Sequence, residues 1–154
     1  MSVCTFFGHR DCPGTVRPGL RAVVAELIET RGVDEFYVGR QGAFDAIAWS
    51  VLGELGEEYP HIRRAVVLER LPGRGEGLGG LDFSQTIFPE GLETAPPRLA
   101  ILRRNQWMLA QADYVVTYIT RGWGGAARFA QQAVRQHKGV FNLAGPGEGK
   151  KEKT

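Results

Sequence analysis

Short apolar runs alternate along the chain with segments whose apolar residues recur at helical spacing, and this alternation most constrains the fold. Runs typical of buried strands cover Val3 to Phe7, Phe36 to Val38, Ala65 to Leu68, Asp113 to Ile119 and Val140 to Leu143. Between these runs, apolar residues follow an i, i+3, i+4 pattern, as in the stripe from Leu20 to Ile28. Strands that are separated by helices predict a parallel sheet with both of its faces covered.

The predicted fold class is α/β, with one Rossmann-like, doubly wound domain over residues 1–144. Its parallel sheet has five strands in the order 3-2-1-4-5, counted along the chain, with helices on both faces. Residues 69–96 are rich in glycine and proline, which predicts either a long loop or a lid that closes over a ligand. Residues 145–154 are predicted to be a disordered polar tail.

The predicted helix from Pro97 to Ala112 differs from the other helices, because its apolar residues lie nearly all round it. Such a helix is expected to be deeply buried, and in a small domain this often indicates a dimer interface. We therefore expect a homodimer or a higher homo-oligomer. Arg103 and Arg104 lie on this helix, and both would then need partners or a ligand.

Charge and cysteine content narrow the classes of function. The net charge of +2 is too small to indicate nucleic-acid binding by itself. No apolar run is long enough for a membrane span, and residues 1–30 show no secretory-signal pattern. The two cysteines, Cys4 and Cys12, form no metal-binding motif, so no metal site is predicted and a reducing, cytoplasmic location is expected.

Arginine follows four of the five predicted strands, at the edge of the sheet where ligands bind in doubly wound folds. These arginines are Arg10, Arg40, Arg70 and Arg121, and three of the four loops also contain glycine. Glycine lets the backbone approach a ligand closely, and the helices that follow the loops present free N–H groups. A single such loop is ordinary, but four loops that converge on one edge predict a site for phosphate or another anion.

The predicted ligand-binding residues lie in these loops and in the helices beside them. They are Gly8, His9, Arg10, Gly39, Arg40, Gly42, Asp45, Arg70, Arg104, Thr120, Arg121, Gly122, Gly124 and Gly125. None of the strand-end loops is a GxGxxG or a P-loop, and GxSxG does not occur, so these loops carry no usual NAD(P) or ATP-hydrolysis signature and the chain has no serine-hydrolase elbow.

Several of these side chains have an ordinary interpretation beside the functional one. His9 could be a base, a phosphate donor or a simple loop hydrogen-bonding group. Asp45 could accept ribose hydroxyls or only favour the helix dipole. Trp123 could stack a base, and Trp49 could be a pocket wall, a subunit contact or ordinary packing.

Three strings carry a resemblance to a known family: FFGHR near the start, YVGRQGAFDAIAW in the middle, and LRRNQWMLAQADYVVTYITRGWGGAARFA towards the end. They resemble the SLOG superfamily, and most of all its small YpsA-like bacterial proteins of unknown function. The similarity extends over nearly all of residues 3–143, including the segment TIFPEGLETAPPR. It implies a Rossmann-like domain, usually dimeric, that binds nucleotides or nucleotide-derived ligands.

The Lonely Guy branch of the same superfamily consists of phosphoribohydrolases, which cut the base from nucleoside 5′-monophosphates. Arg104, Met108, Ala112 and Asp113 keep the spacing of its signature. Its Pro-Gly-Gly-x-Gly-Thr loop and the catalytic Glu that follows correspond here to RGWGGAAR, where Pro, Thr and Glu are missing. The resemblance therefore supports ligand binding better than it supports N-glycosidic cleavage.

Three functions follow as hypotheses. The first is binding or sensing of a nucleotide or a nucleotide-derived phosphate ligand, such as an ADP-ribose-like molecule. The alternative is an N-glycosidase or phosphoribohydrolase that acts on nucleoside monophosphates, with catalytic candidates Arg104, Asp45, Glu69 and His9. A third is a DNA-processing accessory protein, since SLOG domains also occur in the DNA-processing proteins of natural transformation.

Overall fold

A computed structural model describes residues 2–73, 76–77 and 80–144, together with the backbone of Lys151 and Glu152. Its seven strands are β1 (Ser2–Gly8), β2 (Val33–Val38), β3 (Arg63–Val67), β4 (Thr86–Ile87), β5 (Tyr114–Tyr118), β6 (Gly139–Asn142) and β7 (Lys151–Glu152). Its four α-helices are α1 (Arg17–Arg31), α2 (Ala43–Glu58), α3 (Ala100–Gln111) and α4 (Gly125–Arg135).

The strands form one sheet in the order β4-β3-β2-β1-β5-β6-β7. The first six strands pair in parallel, and only β7 runs antiparallel to its neighbour. In the register of the central pair, Cys4 lies beside Tyr114 and Gly8 beside Tyr118. From β1 the chain first adds β2, β3 and β4 on one side, and it then adds β5, β6 and β7 on the other side. The topological switch point therefore lies between β1 and β5.

Two hydrophobic cores cover the two faces of the sheet. One contains the buried residues of α1 and α2, and the other contains those of α3 and α4. Successive side chains of β1 alternate between them, since Phe6 belongs to the first core and Phe7 to the second. This is the two-sided covering expected of a doubly wound sheet.

The predicted Rossmann-like α/β fold is confirmed, and the five predicted strands have the expected relative order. The predicted number of five strands is wrong, because β4 extends one edge of the sheet and β7 extends the other. β4 contains only two residues and lies within the glycine- and proline-rich segment, so it has no periodic pattern of its own. β2 also begins earlier than predicted, because charged Asp34 and Glu35 interrupt its apolar run.

The helix predicted from Pro97 begins as a short 3-10 turn at Pro97–Leu99 and becomes α-helical at Ala100. The expectation that it is buried all round is wrong. Its buried residues, Ala100, Arg104, Met108 and Leu109, lie on one side, whereas Ile101 is exposed. The structure therefore gives the helix one face that packs on the sheet, and the predicted oligomer stays a prediction.

Within the segment 69–96, described residues from Leu81 to Leu92 pack on the body of the domain, where β4 extends the β3 edge of the sheet. The amide of Leu68 donates a hydrogen bond to the carbonyl of Ile87 at 2.7 Å, and Leu92 is buried. Leu81 and Phe88 pack against the core below α1 and α2. Closure of this segment as a lid stays a prediction.

The predicted disordered tail lies outside the described residues, apart from the backbone that forms β7. Within the described part of the chain, no helix combines the length and apolar character needed to cross a membrane.

Candidate functional site

A cavity of about 360 Å³ opens at the carboxyl edge of the sheet, at the switch point between β1 and β5. We call it the switch-point cavity. Its walls are Phe6, Phe7, Gly8, His9, Arg10, Asp11, Gly39, Gln41, Asp45, Ile101, Arg104, Asn105, Met108, Arg121, Gly124, Gly125 and Ala126. The loops after β1, β2 and β5 therefore meet there, together with one side of α3. Its volume lies in the range of small-molecule sites.

Arg104 reaches this cavity from α3 and is almost entirely buried, with 1% of its surface exposed. Its Nε donates to Asn105 Oδ1 at 2.8 Å, and its Nη1 donates to the Val67 carbonyl at 3.1 Å. Nη1 also lies 3.5 Å from Glu69 Oε1, which pairs with Arg40 as well. Burial lowers the pKa of Arg104, although its two carboxylate neighbours oppose this effect. A buried guanidinium held in this way is a rigid cation in the cavity wall.

Asp45 lies in the first turn of α2, and its carboxyl group approaches Gly39 close to the Arg104 guanidinium. A Cβ atom placed on Gly39 would lie 3.0 Å from Arg104 Cζ and 3.1 Å from Asp45 Oδ2, so the two groups converge on this glycine. Burial raises the pKa of Asp45 from 3.8 to about 6, while the Gln41 amide and the nearby arginines oppose the rise. Oδ2 accepts the Gln41 N–H at 2.8 Å. Near neutral pH this carboxyl group can therefore change its protonation state.

His9 is buried, and its Nε2 accepts a hydrogen bond from the Thr120 amide at 3.1 Å. That bond links the loop after β1 to the loop after β5. Burial lowers the pKa of His9, and the charge of Arg121 lowers it further. The ring is therefore neutral near pH 7, and the lone pair that a general base would use is already engaged.

The helices α2 and α4 both begin at the cavity, and a glycine with positive φ precedes each of them. Gly42 has φ +97° and Gly124 has φ +100°, a conformation that other residues adopt only with strain. In α2 the first turn already contains the carboxylate of Asp45. The first turn of α4 contains no acidic residue, and no side chain caps it. Its N–H groups and its positive dipole end therefore favour an anion.

Arg121 lies beside the start of α4. Its Nη1 is 3.7 Å from Asp11 Oδ1, and its Cζ lies 4.5 Å from the centre of the Trp123 ring. Its Nε is buried, and it has no hydrogen-bond partner among the described residues. The Arg10 guanidinium donates one hydrogen bond among the described residues, from Nη1 to Gln41 Oε1 at the long distance of 3.5 Å. Both arginines thus have donors to offer to a ligand.

The switch-point cavity brings together many of the predicted ligand-binding residues, namely Gly8, His9, Arg10, Gly39, Asp45, Arg104, Arg121, Gly124 and Gly125. The others lie elsewhere. Arg70 is exposed and pairs with Glu76, while Arg40 pairs with Glu69. Gly42 lines a neighbouring cavity, Gly122 lines a groove along α4, and Thr120 supports His9.

Sequence reasoning missed several residues that line the cavity. Asp11 and Gln41 adjoin predicted loop residues, so including the whole of each loop would have found them. Asn105 follows Arg104 directly and binds its Nε. Ile101 carried no usable signal, because an apolar residue on a helix has the same pattern whether it faces the core or a cavity. Met108 could have been found from its place in the signature spacing with Arg104.

Within the described residues, no group of three or more histidine, cysteine, aspartate or glutamate side chains is placed to hold a metal ion. The arginines that line the switch-point cavity are Arg10, Arg104 and Arg121.

Comparison with solved structures shows the class of fold. The chain superposes on DNA processing protein A (DprA) from Streptococcus pneumoniae with a TM-score of 0.67 and 14% sequence identity. The match covers 95% of this chain but 51% of that chain, so this chain spans about half the length of that protein. At this identity the likeness shows the fold, which agrees with the expected Rossmann-like α/β architecture.

No model of a known protein family matches the chain. The curated proteins likewise contain no match to it.

Proposed function

We propose that this protein binds or senses a nucleotide, or a nucleotide-derived phosphate ligand, in the switch-point cavity. The observation that carries the proposal is the combination of the uncapped, acid-free start of α4 with Arg10, Arg104 and Arg121 in one cavity. Backbone N–H groups at a helix start and guanidinium forks are the groups that recognise phosphate. ADP-ribose-like molecules belong to the same ligand class.

Isothermal titration with AMP, ADP and ADP-ribose tests this proposal. The wild-type protein is expected to bind at least one of the three saturably. Ala126→Asp places a carboxylate in the first turn of α4 and should weaken binding tenfold or more, since it competes with the phosphate for the helix start. Gln106→Glu makes the same charge change at an exposed position on α3 and should leave binding unchanged. Absence of binding to all three compounds would reject the proposal.

A second candidate function is hydrolysis of the N-glycosidic bond of nucleoside monophosphates. It is favoured by Asp45, whose pKa of about 6 lets it act as an acid beside the cation of Arg104. Water would add to C1′ of the ribose while the C1′–N bond breaks, Asp45 would protonate the leaving base, and the proton that the water loses would return to the Asp45 carboxylate. The products are free base and ribose 5-phosphate. Glu69 is engaged by Arg40 and Arg104, and His9 by Thr120, so Asp45 is the preferred acid.

Release of free base from AMP, measured by chromatography, tests the second candidate. Wild type should release base, and Asp45→Asn should lower the rate by a factor of about 100 or more, since general acid catalysis contributes this much. Arg103 is exposed and lies next to Arg104 in the chain, and Arg103→Ala should be as active as wild type. Binding of AMP without release of base would exclude hydrolysis and leave the binding function intact.

The fold likeness also keeps the DNA-processing alternative testable, because the matched protein is described as a DNA processing protein. The net charge of +2 supplies little attraction for phosphate backbones. A salt-dependent gel shift with single-stranded DNA would support this alternative, and absence of a shift at low salt would reject it.

The finer assignments belong to the same proposal. We propose that the protein belongs to the YpsA-like branch of the SLOG superfamily, on its sequence motifs, and that it forms a homodimer or a higher homo-oligomer in the cytoplasm. Light scattering after size exclusion should give twice the mass of one chain or a higher multiple. A single-chain mass would reject the oligomer without affecting the ligand proposal.

A further inference from the structure

A second cavity of about 320 Å³ adjoins the switch-point cavity on the α2 side of the sheet. We call it the tryptophan cavity. Its walls are Gly39, Arg40, Gly42, Asp45, Ala46, Trp49, Val66 and Leu81. Gly39 and Asp45 also line the switch-point cavity, so the two cavities meet at this pair of residues.

The walls of the tryptophan cavity differ in chemistry from those of its neighbour. Trp49, Val66 and Leu81 supply apolar surface, while Asp45 and Arg40 supply a few polar groups. The switch-point cavity instead gathers arginines and the start of α4. An apolar cavity with an aromatic wall and a few polar groups is the usual environment of a heteroaromatic ring.

The Trp49 ring is held in place before any ligand arrives. The Arg64 guanidinium lies 3.7 Å from the centre of the ring, and its Nη1 donates to the Trp49 carbonyl at 2.7 Å. Burial lowers the pKa of Arg64, as expected for a guanidinium that packs closely on an aromatic ring. A fixed aromatic wall reduces the entropy that a ligand loses on binding.

We propose that the tryptophan cavity receives the base of a nucleotide whose phosphate lies in the switch-point cavity. This inference rests on the proposed function and deepens it, because it assigns the place of the base, which the proposed function leaves open. The ribose would lie at the junction, where the Asp45 carboxylate can accept hydrogen bonds from its hydroxyl groups. Asp45 and Gly39 thus mark the boundary between the two halves of one binding site.

Trp123 is the other tryptophan close to the switch-point cavity, and its surroundings suit the base of a nucleotide less well than the tryptophan cavity does. Trp123 is 68% exposed. The groove beside it is lined by Arg128, Gln131, Gln132 and Arg135 and offers no apolar wall besides Trp123 itself among the described residues. A base stacked there would remain largely in water, whereas the tryptophan cavity would shield it.

Titration calorimetry with AMP and with ribose 5-phosphate tests the inference, because the two ligands share the phosphate and differ in the base. Wild type should bind AMP at least tenfold more tightly than ribose 5-phosphate. Trp49→Ala should lower the affinity for AMP to that for ribose 5-phosphate. The affinity for ribose 5-phosphate itself should not change. Ala46→Phe fills the cavity from an exposed helix position and should have the same effect without removing a core contact. Trp123→Ala is the matched control and should keep the tenfold preference.

The outcomes separate this inference from the proposed function. Equal affinity of wild type for the two ligands would overturn the base site and leave the phosphate site standing. The base site would also be overturned if the preference for AMP survives both Trp49→Ala and Ala46→Phe. If only Trp123→Ala loses the preference for AMP, the base lies at Trp123. Failure of wild type to bind either ligand would overturn the base site, and the proposed function is rejected as well only if ADP and ADP-ribose also fail to bind.

Discussion

Arg104 is the side chain on which the candidate site depends most. It is buried, and it contacts the Val67 carbonyl, Asn105 and Glu69 while the Asp45 carboxyl lies close by. Burial of a cation is costly unless partners of this kind surround it. Ligand binding is the simplest explanation for a costly buried cation at the wall of a cavity.

Replacing Arg104 by alanine should lower the free energy of unfolding by about 3 kcal/mol, because its buried partners lose their cation. It should also weaken nucleotide binding. Urea unfolding measures the first effect. Arg103→Ala changes the exposed residue next to it and should cost less than about 0.5 kcal/mol. Equal stability of the two variants would show that the network around Arg104 contributes little.

Asp45 should make stability depend on pH. Its pKa rises from 3.8 to about 6 on folding, so the folded state holds the proton more tightly and the stability from this group is lost as pH rises through that window. Asp45→Asn has no such loss. Its stability relative to wild type should therefore increase by about 2–3 kcal/mol between pH 4 and pH 7, measured by urea unfolding. A difference that stays constant with pH would contradict the raised pKa.

At the scale of elements, two helix starts define the site, and they are not equivalent. The first turn of α2 already holds the Asp45 carboxylate, whereas the first turn of α4 holds no acid. A glycine at φ near +100° turns the chain into each helix. The anion-binding capacity therefore lies at α4, and α2 supplies a titratable group.

Alanine substitutions of these glycines should show how much folding free energy is lost to a positive φ and how much to a close contact of the added Cβ. Gly124→Ala should cost about 1–2 kcal/mol of folding free energy, since only its positive φ is strained and no atom opposes a Cβ there. Gly42→Ala should cost more, because its Cβ would also lie 2.6 Å from Arg10 Cα. Gly122→Ala has neither problem and is the control. Thermal unfolding of the three variants checks this order, and equal midpoints would contradict it.

At the scale of the whole molecule, the order of the five central strands could be predicted because buried parallel strands are continuous apolar runs of sequence. The pairing of Thr86 and Ile87 with β3 could not be predicted, because two residues have no periodicity and tertiary contact alone defines the strand. The one-sided burial of α3 was also missed. Its apolar residues surround the helix in sequence, but the sheet covers only one side.

The loops of the candidate site could be predicted from strand ends, because parallel strands bring their carboxyl ends to one edge. Glycine and arginine at those ends gave Gly8, Arg10 and Arg121. Side-chain partners could not be predicted in this way. Arg40 and Arg70 have the same position in the pattern, yet each pairs with a glutamate instead of facing the switch-point cavity.

The central claim is that a nucleotide phosphate binds at the switch point beside the start of α4. The most direct test is a titration of ¹⁵N-labelled protein with AMP, followed by the shifts of its backbone amide signals. The account predicts that the largest saturable shifts belong to Gly125, Ala126 and the loop Gly8 to Arg10. Shifts that concentrate on α1 or on the far end of the sheet, or no shifts at millimolar AMP, would contradict it.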